Sequence, residues 1–270
     1  MKLFRKIGLA VCLVSIGICT MSSGNACKIK NTSFKVGESI TYKVYYHWGA
    51  MDVGAGTATF NTNYEKYNGK NVYHITGSGK TYKSYDYFFK VRDLYQSYID
   101  TNTMLPMRFM RDVQEGGTKF KNDVTFDHNG TKAKSTTATT TITNCCQDVL
   151  SMIYWSRNID YSKMKPGDKV YFDMFIDDAV YNLYIRYLGK EQVKTDLGTF
   201  NCIKFRPLLV KGTMFNGGEQ MLVWATDDPN HLPVRIEATI AVGEIRADLS
   251  AANGLRHGLT SWIKKYYDKK

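Results

Sequence analysis

The sequence predicts an all-β protein with one central helix, in which a large antiparallel sheet curls into an unclosed barrel of two pseudo-repeated halves. Three observations lead to this prediction. Apolar and polar side chains alternate over most of the chain, turn residues separate the alternating runs at regular spacing, and a single stretch is apolar with helical periodicity. Alternation is typical of strands that place one face on the core and the other in solvent.

Two motifs occur twice in the sequence, about 130 positions apart. Residues 35–38 precede one alternating run, and the similar residues 165–168 precede another. A Leu-Pro-x-Arg segment at 105–108 returns at 232–235. Because the order of the elements is nearly kept, we expect pseudo-repeats within one β-rich domain. The predicted bounds are about 34–130 and 160–250 for the repeats, about 148–158 for the linking helix and 27–270 for the domain.

The first half is predicted to contain seven strands. Gly49, Gly54 and Gly56 around Asp52 indicate a hairpin and a bulge between the first two. These glycines lack a following helix, so they do not form a phosphate-binding loop. The predicted strands are 40–46, a run that ends at residue 60, 72–77, 87–99, 107–113, 118–126 and 136–143.

The second half repeats this pattern, and turn residues separate its strands as well. Asn68-Gly69, Asn129-Gly130 and residues 196–198 mark turns along the whole chain. Asp177-Asp178 and Asp227-Asp228 are also interpreted as turns, in preference to paired catalytic carboxylates or a calcium site, because Asp readily bonds its own backbone. The predicted strands are 170–176, 181–188, 191–196, 200–207, 220–225, 234–240 and 244–249.

The helix is apolar around most of its circumference, with Asn144 as a candidate cap. Such a helix must be covered, and the concave face of a curled sheet can cover it. We therefore expect Met152 and Ile153 to be largely buried. Their expected contacts are the inward side chains Tyr42, Val44, Phe172 and Met174.

Residues 1–26 are predicted to be a signal peptide, because a basic start and an apolar stretch precede Gly24-Asn25-Ala26. The apolar stretch is too short for a membrane span, and no later segment approaches that length. We expect an exported protein, periplasmic or associated with the outer membrane. Cys27 leaves two alternatives open, simple cleavage after Ala26 or lipidation of Cys27 itself.

Four cysteines remain after cleavage, and their spacing fits neither a zinc site nor a redox pair. One disulfide that joins Cys145 or Cys146 to Cys202 or Cys27 is one interpretation, and inert buried thiols are the other. We predict no metal and no cofactor, because the histidines are scattered and catalytic or nucleotide-binding motifs are absent.

The net charge of the chain is +11, which falls to about +8 without the three cationic residues of positions 1–26. The basic residues are dispersed, and an exported protein rarely meets nucleic acid. We therefore expect no nucleic-acid partner. Weak attraction to other envelope components, such as an anionic membrane, is the alternative to a merely solvated basic surface.

Aromatic side chains are more frequent than a thin sheet needs on one face, so the interior either is fully packed or leaves an apolar groove. The side chains that would line such a groove are Tyr42, Val44, Tyr46, Trp48, Met152, Ile153, Phe172, Met174 and Ile176. Arg108 and Arg235 of the repeated motif are candidate anion contacts, although outward arginines on strands are usually solvated or paired. No catalytic residue is assigned.

The sequence resembles the bacterial envelope family known as domain of unknown function 3108, over roughly residues 34–250. The matching residues are Gly37, Glu38, Tyr42, Gly54, Gly56, Asp148, Ser151, Tyr154, Arg157, Trp224, Asp227 and Pro233. The resemblance implies the fold and export, and no activity. More distantly, the helix within a curled sheet is similar to the LolA/LolB type of periplasmic lipoprotein carriers, which hold acyl chains in an unclosed barrel.

Three functions remain open from the sequence. The first is non-enzymatic binding of a lipid or acyl chain. An envelope scaffold with a packed interior and a hydrolase with a dispersed site are the alternatives.

Overall fold

Fifteen strands of this chain form one continuous antiparallel sheet around a single helix, as a computed structural model shows. The structure describes residues 27, 29–211, 216–240 and 242–265. The all-β prediction with one helix is confirmed. The predicted signal peptide, residues 1–26, lies outside the described residues.

The strands fall into two groups on either side of helix α1, Val149–Ser156. Those before it are β1 Ser39–Trp48, β2 Met51–Tyr67, β3 Lys70–Thr81, β4 Arg92–Asp100, β5 Pro106–Glu115, β6 Thr118–Asp127, β7 Lys132–Lys134 and β8 Thr139–Thr141. Those after it are β9 Lys169–Ile176, β10 Ala179–Thr195, β11 Gly198–Pro207, β12 Leu209–Lys211, β13 Asn216–Gly218, β14 Met221–Thr226, β15 Pro233–Thr239, β16 Glu244–Asn253 and β17 Trp262–Lys265.

The strand order along the sheet is β8-β7-β6-β5-β4-β3-β2-β1-β16-β15-β14-β11-β10-β9, with β17 beside β11 and β12–β13 as a separate pair. Strands β1 to β6 form one six-stranded meander, and β9, β10, β11, β14, β15 and β16 form another in the same direction. Each Leu-Pro-x-Arg segment leads into the fifth strand of its meander. A duplicated unit requires this order, and the superposition of 34–130 on 160–250 stays a prediction.

Several tight turns follow the sequence signals. Strands β2 and β3 are joined by Asn68-Gly69, and β9 and β10 by Asp177-Asp178. All four residues have positive φ. The two-residue turn that matches the twist of a hairpin requires positive φ at both of its residues. The turn interpretation of the Asp177-Asp178 pair is therefore confirmed.

Some predicted elements have other bounds in the structure. The predicted strands 181–188 and 191–196 are one strand, β10, which ends at Thr195. The segment 82–89 precedes β4 as a turn region and is not part of a strand. Strands β7, β12, β13 and β17 were not predicted, because three or four residues are too few to show alternation. Gly56 lies inside β2, where a Cβ would be 2.2 Å from the Lys80 carbonyl oxygen. Only glycine allows the two strands to approach so closely.

The cap of α1 is Asp148 and not Asn144. The Asp148 carboxylate accepts the Ser151 backbone N–H, and the Ser151 hydroxyl accepts the Asp148 N–H, both at 2.8 Å. This capping box satisfies two donors that a helix N-terminus would otherwise leave without partners. A cap at Asn144 would start the helix at residue 145, whereas α1 begins about four residues later, at Val149.

The concave side of the sheet holds the core clusters that include the helix, and the sheet has two distinct ends. At the helix end lie the start of β1 and the Leu-Pro segments. At the hairpin end lie the turns 49–50 and 177–178, the connection between β15 and β16, and the segment 82–91. Among the described residues no ladder joins β8 to β9, so the barrel is unclosed.

Side-chain contacts nevertheless bring the two edges of the sheet together. Arg111 of β5 pairs with Asp177 of the β9–β10 turn. Thr140 of β8 donates a hydrogen bond to the Asp178 carbonyl oxygen at 2.9 Å. The rings of Phe126 and Phe175 meet edge to face at 5.8 Å. The curl is therefore fixed by these contacts and by the helix between the edges.

Candidate functional site

Four residues of the motif, Glu38, Tyr42, Tyr154 and Arg157, lie buried together at the helix end. Arg157, at the C-terminus of α1, donates to both carboxylate oxygens of Glu38 at 2.6 and 2.9 Å. The Arg157 and Glu38 side chains are 3% and 0% exposed, respectively. Arg157 also donates to the Asn230 carbonyl oxygen at 3.0 Å, and its guanidinium lies over the Phe34 and Tyr154 rings. The pair thus joins the helix to the start of β1.

The other two motif residues also form hydrogen bonds. Tyr42 donates to the Pro233 carbonyl oxygen at 3.0 Å, and Thr62 donates to the Tyr154 hydroxyl at 3.4 Å. Burial raises the pKa of the Tyr154 hydroxyl to about 12, so it stays protonated. These buried residues of the motif therefore hold the helix in place against the sheet.

Asp148 is the buried carboxyl at the other end of the helix. Ser97 donates to it at 2.6 Å, and its side chain caps the helix. Burial raises the pKa of Asp148 to about 6. The hydrogen bonds from Ser97 and from the helix lower this pKa, but burial has the larger effect.

The raised pKa of Asp148 predicts a pH-dependent stability. Because the folded-state pKa lies above the unfolded value, the contribution of Asp148 is complete below about pH 4 and is lost as the pH rises through about 6. An Asp148→Asn variant keeps an oxygen for the cap without the charge. We expect its stability relative to the parent to rise by about 2 kcal/mol between pH 4 and pH 7. Urea unfolding of both proteins measures this difference, and a difference that stays constant with pH would contradict the assignment.

The cysteines resolve the alternatives left by the sequence. Cys27 and Cys145 form a disulfide with a Cα–Cα distance of 4.9 Å, while Cys146 and Cys202 are buried free thiols. Burial raises the pKa of both thiols to about 12, which leaves almost no reactive thiolate at neutral pH. Within the described part of the chain, no cluster of three or more His, Cys, Asp or Glu side chains is placed to hold a metal ion.

Arg108 and Arg235, the candidate anion contacts, are each paired with an aspartate. Arg108 donates to both oxygens of Asp123 at 2.9 and 2.5 Å, and Arg235 to both oxygens of Asp248 at 2.6 and 2.9 Å. The partner carboxylates supply the negative charge that a bound anion would otherwise provide. These contacts support a structural role for the repeated arginines.

The predicted ligand-lining residues divide into three groups by exposure. Tyr42, Phe172 and Met174 are buried. Trp48 is 56% exposed. The remaining residues are half-buried, namely Val44, Tyr46, Met152, Ile153 and Ile176. The inward face of β1 thus passes from the core at the helix end to solvent at the hairpin end.

The expectation for Met152 and Ile153 is confirmed in part, because both are half-buried and Met152 packs against the cluster that contains Phe172 and Met174. The buried helix residues are Leu150, Ser151, Tyr154, Trp155 and Ser156. An all-round apolar helix gives no sequence signal for its most buried face, so the tertiary packing decides it. Met152 and Ile153 also pack against different clusters, around Phe172 and around Phe175 respectively, while Tyr42 packs with Ile40, Leu232 and Leu249.

Half-buried apolar side chains lie on the concave side of the sheet. Val44 pairs across the sheet with Ala247, which pairs with Ile236, and the next row joins Tyr46 to Ile245. Cross-strand partners share a face, so both rows point inward with Tyr42. Met152 packs against the same core cluster as four other members of this surface. We call the surface the apolar groove; it comprises Val44, Tyr46, Met152, Ile176, Tyr181, Met221, Ile236 and Ile245.

Two hollows of the described chain lie outside the groove. One, of about 630 Å³, lies on β3 to β6 and includes Leu94 and Phe120, and the other, of about 290 Å³, includes Tyr67 and Arg108. Neither is lined by a residue of α1, β1 or β9.

The fold and the buried network define a class of β-rich proteins in which a curled, unclosed sheet is held around one helix. The chain belongs to the family described as a protein of unknown function, DUF3108, whose model matches residues 41–250. No curated protein matches the sequence. Within the described residues no helix is long and apolar enough to cross a membrane.

Solved structures are similar to the chain at low sequence identity, and the first of those below shares its fold. A beta-barrel-like protein of the domain of unknown function DUF1849 from Brucella abortus is 10% identical, with a TM-score of 0.54 over 83% of this chain and 100% of that chain. A candidate lipoprotein from Parabacteroides distasonis is 13% identical, with a TM-score of 0.36 over 84% and 99% of the two chains. A candidate exported protein with a YmcC-like fold from Bacteroides fragilis is 14% identical, with a TM-score of 0.33 over 84% and 100%.

Proposed function

We propose that this protein is a non-enzymatic component of the cell envelope that binds a lipid or acyl chain in the apolar groove. The observation that supports this function is the row of half-buried apolar side chains from α1 and from strands of both halves of the sheet. Water contacts this surface in the free protein, and a flexible hydrocarbon chain would release that water. The adaptable side chains of Met152 and Met221 suit such a ligand.

The chemistry of the buried groups also favours binding over catalysis. The motif carboxylates Glu38 and Asp148 are sealed inside the core, and the free thiols are protonated. The disulfide between Cys27 and Cys145 is of the kind that persists in oxidising compartments, which supports the proposed export to the periplasm or its outer membrane.

Binding can be tested by titration of the mature chain with a fluorescent fatty acid, cis-parinaric acid. We expect saturable binding that weakens about tenfold or more when Met152→Lys or Met221→Lys places a charge in the groove. Val44→Trp should also weaken binding by filling the space beside Gly56 and Ala247, its cross-strand neighbours.

Val36→Lys is the matched control, because Val36 is 43% exposed at the helix end and lies outside the groove. It should bind the fatty acid as the parent does. Saturable binding that all three groove variants leave unchanged would refute the groove as the site. No saturable binding by the folded parent would refute the lipid-binding function and favour an envelope scaffold.

A further inference from the structure

The hairpin end carries a second apolar surface, which is exposed to solvent. Tyr87 is 91% exposed and Phe88 is 77% exposed, in the segment before β4. The adjacent β1–β2 hairpin adds Trp48, 56% exposed, and two exposed aliphatic side chains. We call these residues the aromatic rim; they are Trp48, Met51, Val53, Tyr82, Tyr87, Phe88 and Phe89.

The rim is held in place by polar contacts behind it. Arg92 donates to both carboxylate oxygens of Asp86 at 3.0 and 2.6 Å, and the Thr81 hydroxyl donates to the same carboxylate at 2.5 Å. Backbone bonds from Asp86 and Phe89 to the preceding turn complete a short helical turn. The exposed aromatic side chains therefore project from an ordered support and not from a loose loop.

The two parts of the rim are in contact with each other. The Tyr82 backbone N–H donates to the Ala55 carbonyl oxygen of β2 at 2.9 Å. The Tyr46 and Tyr85 rings lie 6.2 Å apart, edge to face. Because Tyr46 also belongs to the apolar groove, the rim begins where the groove reaches solvent.

Basic side chains flank the rim. Lys83 and Lys90 are exposed, and neither forms an ion pair within the described part of the chain. Two nearby carboxylates are paired, Asp86 with Arg92 and Asp52 with Arg246. Aromatic side chains beside free lysines match the two parts of an anionic bilayer surface, its apolar boundary and its charged headgroups.

We propose that the aromatic rim docks this protein on an anionic bilayer, with Tyr87 and Phe88 inserted at the headgroup boundary. This inference goes beyond the proposed function and does not depend on ligand binding in the groove. It would place the open end of the groove against the lipid.

The test is co-sedimentation of the mature chain with vesicles of phosphatidylethanolamine and phosphatidylglycerol. We expect the Tyr87→Ser/Phe88→Ser variant to bind at least about tenfold more weakly, because each ring buries apolar surface at the boundary. Lys83→Glu/Lys90→Glu should weaken binding by about fivefold or more per residue, and added salt should reduce this difference. Brominated lipids should quench the fluorescence of Trp48, and this quenching should be lost in a Trp48→Phe variant.

Tyr64→Ser is the matched control, because Tyr64 is 51% exposed towards the other end of β2, away from the rim. It should bind vesicles as the parent does. Equal vesicle binding by the parent and the Tyr87→Ser/Phe88→Ser variant would refute the proposal. It would also be refuted if neither protein bound vesicles and the parent were a dimer that this variant converts to a monomer. The variant should still bind cis-parinaric acid in solution, so failure of docking and failure of the groove are distinguishable.

Discussion

Replacing Arg157 with Met should lower the free energy of unfolding by about 3–5 kcal/mol, because Glu38 would be left as an unpaired charge in the core. Both side chains are sealed from solvent and joined by two hydrogen bonds. Urea unfolding followed by circular dichroism measures the loss. The Glu38→Gln/Arg157→Met double variant removes the unpaired charge, so it should be more stable than Arg157→Met alone.

Arg108→Met supplies the matched control. Arg108 and Asp123 also form a pair with two hydrogen bonds, but their side chains are 31% and 40% exposed. Water can solvate the remaining charge there, so the expected loss is about 0–1 kcal/mol. Equal losses at Arg157 and Arg108 would mean that the buried pair does not hold the helix to β1.

The sheet was predictable because its signals are local. Alternation over residues 40–46 marks β1, and the turn at Asn68-Gly69 is specified by two adjacent residues. The helix was predictable for the same reason. Its cap was misplaced because Asn144 and Asp148 both suit a helix start, and only the Ser151 partner distinguishes them.

The candidate site was less predictable, because it depends on contacts between distant residues. Glu38 and Arg157 are 119 positions apart, and the motif names both without indicating that they pair. The burial of each inward side chain of β1 also depends on which element packs against it. Alternation therefore identified the inward face of β1 without showing which of its residues lie in the core. Tyr87 to Phe89 were assigned to a strand because aromatic residues favour strands. The Asp86–Arg92 pair instead holds this segment as a turn.

The disulfide between Cys27 and Cys145 illustrates the same limit. Four cysteines left several pairings open, and the spacing could not choose between them. The structure ties the start of the domain to the segment that leads into the helix. Cys146, the neighbour of Cys145, points instead into the core around Phe34 and Leu150.

Removal of this disulfide in a Cys27→Ser/Cys145→Ser variant should lower the free energy of unfolding by about 4 kcal/mol, because the bond closes a long loop in the unfolded chain. The sequence separation of its cysteines is 118. Urea unfolding of the oxidised parent and of the variant measures the loss. Cys202→Ser is the control, since Cys202 takes no part in the bond. Reductant should destabilise the parent and leave the double variant unchanged. An equal effect of reductant on both would contradict the pairing.

The disulfide also bears on the question of lipidation. A cysteine sulfur that is bonded to another sulfur cannot at the same time carry a thioether-linked lipid. We therefore propose that Cys27 remains unlipidated and that cleavage follows Ala26. Intact-mass measurement of protein isolated from its own envelope should give the mass of residues 27–270 without added lipid. Under denaturing, non-reducing conditions an alkylating reagent should label only Cys146 and Cys202, the free thiols of the structure. A diacylglyceryl group on Cys27 would overturn both the cleavage and the pairing, because Cys145 would then be left without its partner.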